Sequence, residues 1–209
     1  EIASCLVGSE MCIRDSYRLG TLALWLTYFM GLLVIYLTMG WLPTLLRDGG
    51  LSIERAATIT GLFQIGGAVG AIVVGWIMDR RNPNRVIAIA YALGGLCIVS
   101  LGALSLESSL LVVGVAAAGF CMSGAQTGLN AFAPGYYPTE FRATGVSWML
   151  GIGRFGAIFG SLIGGAVLSL GLGLPLLFTL LGLPAFAAAL AILANGHARL
   201  RATPAVTAP

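Results

Sequence analysis

The chain has 209 residues, of which 58% are apolar before its 30 glycines are counted, and only 9% are charged. Soluble domains carry roughly a quarter charged residues, so 11 arginines and 8 acids cannot cover a water-soluble fold of this size. The net charge of +3 comes from arginines dispersed between apolar runs, with no basic stripe of interleaved aromatics, which excludes nucleic acid as a partner and leaves the lipid bilayer.

Residues 1–16 match nothing that follows. They hold Cys5, Cys12 and three of the eight acids, and are neither a span nor a linker. Cys5 to Ser16 resembles a recurrent artefact at the ends of assembled environmental reads, so 1–16 is expected to be a non-native leader. A secretory signal fits poorly, because the apolar run after Arg18 is too long and lacks a small-residue cleavage site.

A bilayer core of about 30 Å needs about 20 apolar residues per helix. Six runs reach that length: Leu19 to Leu42, Ala56 to Met78, Val86 to Leu106, Leu110 to Ala133, Thr144 to Leu170 and Leu174 to Ala194. All eight acids lie outside these runs, as do ten of the eleven arginines. Period-2 alternation is absent, so the expected fold is an all-α membrane protein with six transmembrane helices across residues 17–195. Residues 196–209, with the lone His197, read as a disordered cytoplasmic tail. With six spans, eight arginines fall on the side of the termini, against Arg47 and Arg55 on the other. Both termini are therefore expected in the cytoplasm of a bacterial cell, the spans lying in its inner membrane.

Helices in lipid associate where small residues let backbones approach. Gly156, Gly160 and Gly164 form such a stripe in the fifth run, and Gly66 and Gly70 form another in the second. Pro184 is expected to kink the sixth run. The third and sixth runs are almost featureless, so two helices are expected to face lipid and four to line something. Ser123, Gln126 and Asn130 share one face of the fourth run, Thr60 and Gln64 are four apart in the second, and Trp25, Tyr28 and Tyr36 lie in the first. Each polar residue can serve interhelical hydrogen bonding or a cavity, each aromatic anchoring or packing; Trp41, at a run's end, reads as an interface anchor. Cys97 and Cys121 sit inside apolar runs, and no cysteine has ligand spacing, so neither a metal site nor a disulfide framework is expected.

Arg154 stands apart. Ten residues beyond Thr144, it lies about 15 Å into the hydrocarbon core at 1.5 Å per residue. A guanidinium at that depth costs upward of about 2.5 kcal/mol unless an anion, carbonyls or water receive it. No acid of this chain shares its depth, so its partner is expected to be absent protein, an anionic substrate or a cluster of backbone carbonyls.

The loop Asp79-Arg80-Arg81-Asn82-Pro83-Asn84-Arg85 after Gly75 resembles the cytoplasmic G-x-x-x-D-R loop of the major facilitator superfamily. Tyr137 to Gly145, Y-P-T-E-F-R-A-T-G, with Gly151-Ile152-Gly153-Arg154 downstream, resembles the aromatic acid:proton symporters of that superfamily. The likeness covers residues 17–195 and corresponds to the C-terminal half of a twelve-helix fold. Asn82 and Asn84 depart from it, standing where the general loop often has Gly and close aromatic acid carriers often have His.

The resemblance implies a gating role for Asp79, Arg80 and Arg85 through charge pairs, with Glu140 and Arg142 in the equivalent fourth loop. It places Arg154 in a central cavity, where its planar fork receives a carboxylate, with Gln126, Asn130, Gln64 and Tyr28 as further substrate contacts. The function so implied is secondary transport of small organic acids, with the proton as coupling ion and no cofactor. The partners are then a small organic anion and an N-terminal six-helix half, or a second copy. The alternatives are a carrier of sugar, shikimate-like acid or drug, and a non-transporting six-helix scaffold. An intramembrane enzyme is excluded by the lack of H-E-x-x-H, G-x-S-x-G or paired intramembrane acids.

Overall fold

The computed structural model describes the backbone of residues 2–103, 109–139, 142–169 and 174–202. The side chains of 2–18, 166–169, 174, 175, 177 and 197–202 lie outside the description. Its elements are α1 (Ile2–Asp48), α2 (Ile53–Met78), α3 (Pro83–Leu101), α4 (Ser109–Tyr136), α5 (Arg142–Ser169) and α6 (Leu174–Ala202). All six are long and apolar enough to cross a bilayer.

The expected boundaries at 16/17 and 195/196 are not breaks in secondary structure. Helix α1 runs unbroken from Ile2, and α6 continues to Ala202, through Pro184. Residues 203–209 of the expected tail lie outside the description.

Local chemistry sets the other ends. After α1 the chain turns at Gly50, whose φ of 102° suits a residue without Cβ. Ser52 then caps α2, its side chain accepting from the Arg55 N–H at 3.4 Å. Asn82 caps α3 by accepting from the Asn84 N–H at 3.1 Å, and Pro83 occupies the first helical position, where no N–H is needed.

The helices pack in the order α2–α4–α3–α6–α1–α5. The two end members are the barest. In the most apolar stretch of each span, only 22% of α2 and 28% of α5 are buried, against 50% for α1, α3 and α6. The featureless spans α3 and α6 lie midway in this order, packed on each other and on α4 and α1. They do present apolar outer faces, with Ile89, Leu93 and Leu190 exposed. Apolar composition suits a lipid-facing and a protein-facing surface equally, so it could not separate the two.

The close approaches repeat. A Cβ on Gly66 or Gly70 of α2 would strike the carbonyls of Ala116 or Phe120 on α4. Ninety positions later, a Cβ on Gly156 or Gly160 of α5 would strike the carbonyls of Phe29 or Leu33 on α1, each 87 positions before its counterpart on α4. Gly95 of α3 and Gly182 of α6 face each other reciprocally: a Cβ on either would lie 3.4 or 3.1 Å from the other's carbonyl oxygen. The packing order also reads the same when α1–α3 are exchanged for α4–α6. The bundle is thus a pair of three-helix repeats about a pseudo-two-fold axis. With three spans each, the copies cross the bilayer in opposite senses.

Trp41 is part of the same α1–α5 seam rather than a free interface anchor. Its Nε1 donates to the Ser161 carbonyl at 3.0 Å, and its indole fills the space left by Gly164 and Gly165.

Candidate functional site

A polar cluster forms where α1, α3 and α4 meet. The Tyr91 hydroxyl of α3 donates to Gln126 Oε1 of α4 at 2.6 Å. Gly31 of α1 makes room for both, since a Cβ there would strike each of these oxygens. Tyr91 is fully buried and Gln126 nearly so, at 6% exposure, yet Gln126 Nε2 has no hydrogen-bond partner. In this arrangement the hydroxyl donates to the amide oxygen, and the amide N–H donors find no partner.

Tyr28 extends the cluster toward α5. It is 5% exposed, lies close enough to Tyr91 to interact electrostatically, and packs its ring across Gly153, the residue before Arg154. At 1.5 Å per residue, Tyr28 lies about 14 Å past Leu19, Tyr91 about 12 Å past Pro83, Gln126 about 15 Å before Tyr136 and Arg154 about 18 Å past Arg142. All four distances are measured from the same side of the bundle, so these residues form one layer near mid-membrane.

The expected contacts divide unevenly over this layer. Tyr28 and Gln126 belong to the buried cluster. Arg154 is exposed on α5, in a stripe with Ser147, Gly151 and Ile158. Gln64 is exposed on α2 at the position related to Arg154 by the 90-residue repeat. Gly61 and Gly151 are a further pair at that spacing, and a Cβ on either meets nothing within 4 Å. Gln64 and Arg154 therefore occupy matching open faces of the two end helices, whereas Tyr91 and Gln126 are buried. Asn130 is exposed as well, although it shares an arc of about 60° with Ser123 and Gln126. That arc straddles a boundary: Gln126 turns toward Tyr91, Ser123 packs on Gly67, and Asn130 lies outside. Thr60 closes onto its own helix through the Ala56 carbonyl at 2.8 Å.

The residues expected to gate separate similarly. Asp79 is the C-cap of α2, and the Arg80 guanidinium stacks on Trp76 at 4.0 Å from the ring centre. Arg85 turns toward the outer groove between α3 and α6. Arg142 is exposed in the first turn of α5, and Glu140 lies outside the described residues. Among the described residues, none of these arginines forms an ion pair with Asp79. No group of His, Cys, Asp or Glu among the described residues could hold a metal ion.

Tyr91, Asn195, Thr27 and Thr38 are buried polar residues that escaped the sequence reading. Tyr91 was hidden in a run taken as featureless. Asn195, fully buried in α6, donates to the Gly20 carbonyl at 2.7 Å, and the buried Thr27 hydroxyl donates to the Ala23 carbonyl at 2.7 Å. Only their polarity inside or beside an apolar run could have marked them.

A family model described as the Major Facilitator Superfamily matches residues 24–207. The chain belongs to the Major Facilitator Superfamily. Its six spans and its superfamily make it an integral membrane protein. It is 98% identical to a gallate transporter of Pseudomonas putida over 201 residues, which is 96% of this chain and 45% of that protein. It is 51% identical to the 4-hydroxybenzoate transporter PcaK of Pseudomonas aeruginosa over 181 residues, covering 87% of this chain and 40% of that protein. A 3-(3-hydroxy-phenyl)propionate transporter of Escherichia coli is 38% identical over 153 residues, 73% of this chain and 38% of that protein. All three are transporters rather than enzymes. The chain spans less than half the length of these relatives.

Proposed function

We propose that the chain is the C-terminal six-helix half of a proton-coupled carrier that moves small aromatic carboxylic acids across the bacterial inner membrane, both termini being cytoplasmic. The observation that carries this reading is the mid-membrane layer. It offers an exposed guanidinium on α5, with no carboxylate from this chain's apolar runs to neutralise it. A hydroxylated benzoate has the complementary group, an anionic fork at one end of a flat ring. Arg154, on the open face of α5, receives the carboxylate bidentately, while Tyr28 and Gln126 form the buried polar backing of the same layer. The relatives named for gallate and 4-hydroxybenzoate support this cargo class.

The bare faces of α2 and α5 receive the other six helices, so that the cargo sits between two halves that rock around it. The proton-carrying acid belongs to that other half, because all eight acids of this chain lie outside its apolar runs.

The test is uptake of labelled gallate and 4-hydroxybenzoate into vesicles holding the full-length protein. Uptake is expected to be competed by aromatic acids and not by neutral sugars, and to collapse with a protonophore. Uptake competed by neutral sugars would reassign the cargo. Uptake that survives the protonophore would remove the proton.

A further inference from the structure

The outer face between α3 and α6 holds a groove of about 470 Å³ that plays no part in the proposed transport path. Its floor is made of Ala88, Ala92 and Ala189, whose small side chains leave a trough between the helices. Ile89 and Leu190 rise on either side, 59% and 68% exposed, and Phe186 lines it at the level of Ala92. Arg85 stands at the mouth, in the first turn of α3, and no acidic side chain lines the groove. From Arg85 to Ala92 the trough runs about 10 Å along the helix, from the bilayer surface into one leaflet.

We infer that this groove binds an anionic phospholipid, with its phosphate on Arg85 and one acyl chain lying over the three alanines. The chemistry selects this occupant. A protein helix filling the trough would bury the guanidinium without a counter-charge, at a cost well above that of leaving it at the surface. A phospholipid supplies a negative charge at the depth of the mouth and hydrocarbon at the depth of the floor. A basic pocket between spans at the membrane surface is a setting in which anionic headgroups are retained. The same observation gives Arg85 a partner outside the protein, in place of the charge pair expected from its loop. The inference does not depend on the identity of the cargo.

The experiment is native mass spectrometry of the full-length protein in mild detergent, with phosphatidylglycerol or phosphatidylcholine of equal chain length. Phosphatidylglycerol is expected to be retained about fivefold over phosphatidylcholine. Arg85→Gln is expected to bring that ratio close to one. Ala189→Leu, which fills the trough and keeps the charge, is expected to lower retention of both lipids. Equal retention of the two lipids by the unaltered protein would overturn the site. So would a preference that survives Arg85→Gln, or cysteine cross-linking that captures a second copy of the chain across the groove. Arg85 is exposed, so its substitution reads lipid selectivity even if the alanine variant fails to fold.

Discussion

The Tyr91 hydroxyl donates to Gln126 Oε1 at 2.6 Å, and this bond ties α3 to α4 inside the buried cluster. Without it the buried amide loses the hydrogen bond that ties it to α3. Tyr91→Phe keeps the ring and strands a buried carbonyl oxygen, a loss of about 1–3 kcal/mol. The half-saturating concentration for aromatic acid uptake is expected to rise about tenfold, with a lower melting temperature. An unchanged value would show that Gln126 is held by packing alone.

Arg154 carries the second prediction. Arg154→Ala is expected to abolish uptake of benzoate-class acids, and Arg154→Lys to restore only a small part of it, because an ammonium keeps the charge and loses the two-pronged geometry. Initial uptake rates at several cargo concentrations decide the matter. Full activity in the alanine variant would detach Arg154 from the cargo.

The glycines divide into two groups with opposite expected outcomes. Gly66→Ala and Gly156→Ala push a methyl group into a neighbouring carbonyl, so each is expected to destabilise the bundle by about 1–3 kcal/mol. Gly61→Ala and Gly151→Ala meet open space and remove a flexible residue from a helix, so they are expected to be neutral or stabilising by up to about 1 kcal/mol in the six-helix unit. Thermal unfolding in detergent separates the groups. Equal losses at all four positions would contradict the packing.

Tyr137 gives a pH prediction. Just beyond the end of α4, its ring packs on Gly145 and edge-on to Tyr136 at 5.1 Å. Burial pushes its hydroxyl pKa above the ordinary tyrosine value, an effect that Thr21 and Trp25 beside it partly offset. The folded state then holds the proton at pH values where the unfolded chain has lost it. Stability contributed here is intact below about pH 10 and falls as the pH climbs from there toward the raised value. Melting temperatures measured across that range should fall less steeply in Tyr137→Phe than in the unaltered protein.

The number, type and approximate limits of the spans were legible because charge is excluded from hydrocarbon, so the acids fall outside the apolar runs. The stripe of Gly156, Gly160 and Gly164 was legible too, since small residues at a spacing of four can only line one helix face. Which face turns toward which neighbour was not. The polarity contrast that orients a helix in water vanishes where lipid and protein interior are both apolar. Tyr91 passed unnoticed within such a run, and Gln64 was grouped with Gln126 although the two open onto different surroundings. Repetition at 87 and 90 positions escaped as well, because the copies share contacts more than residues.

That repetition has a consequence for the direction in which cargo lies. A duplicated scaffold offers two mirrored seats, and chemically equal seats would accept a ligand either way round. Here one seat holds Arg154 and its counterpart holds the neutral Gln64. Under the proposed transport function this difference supplies a compass: an anion entering between the two flanks is drawn to the arginine side.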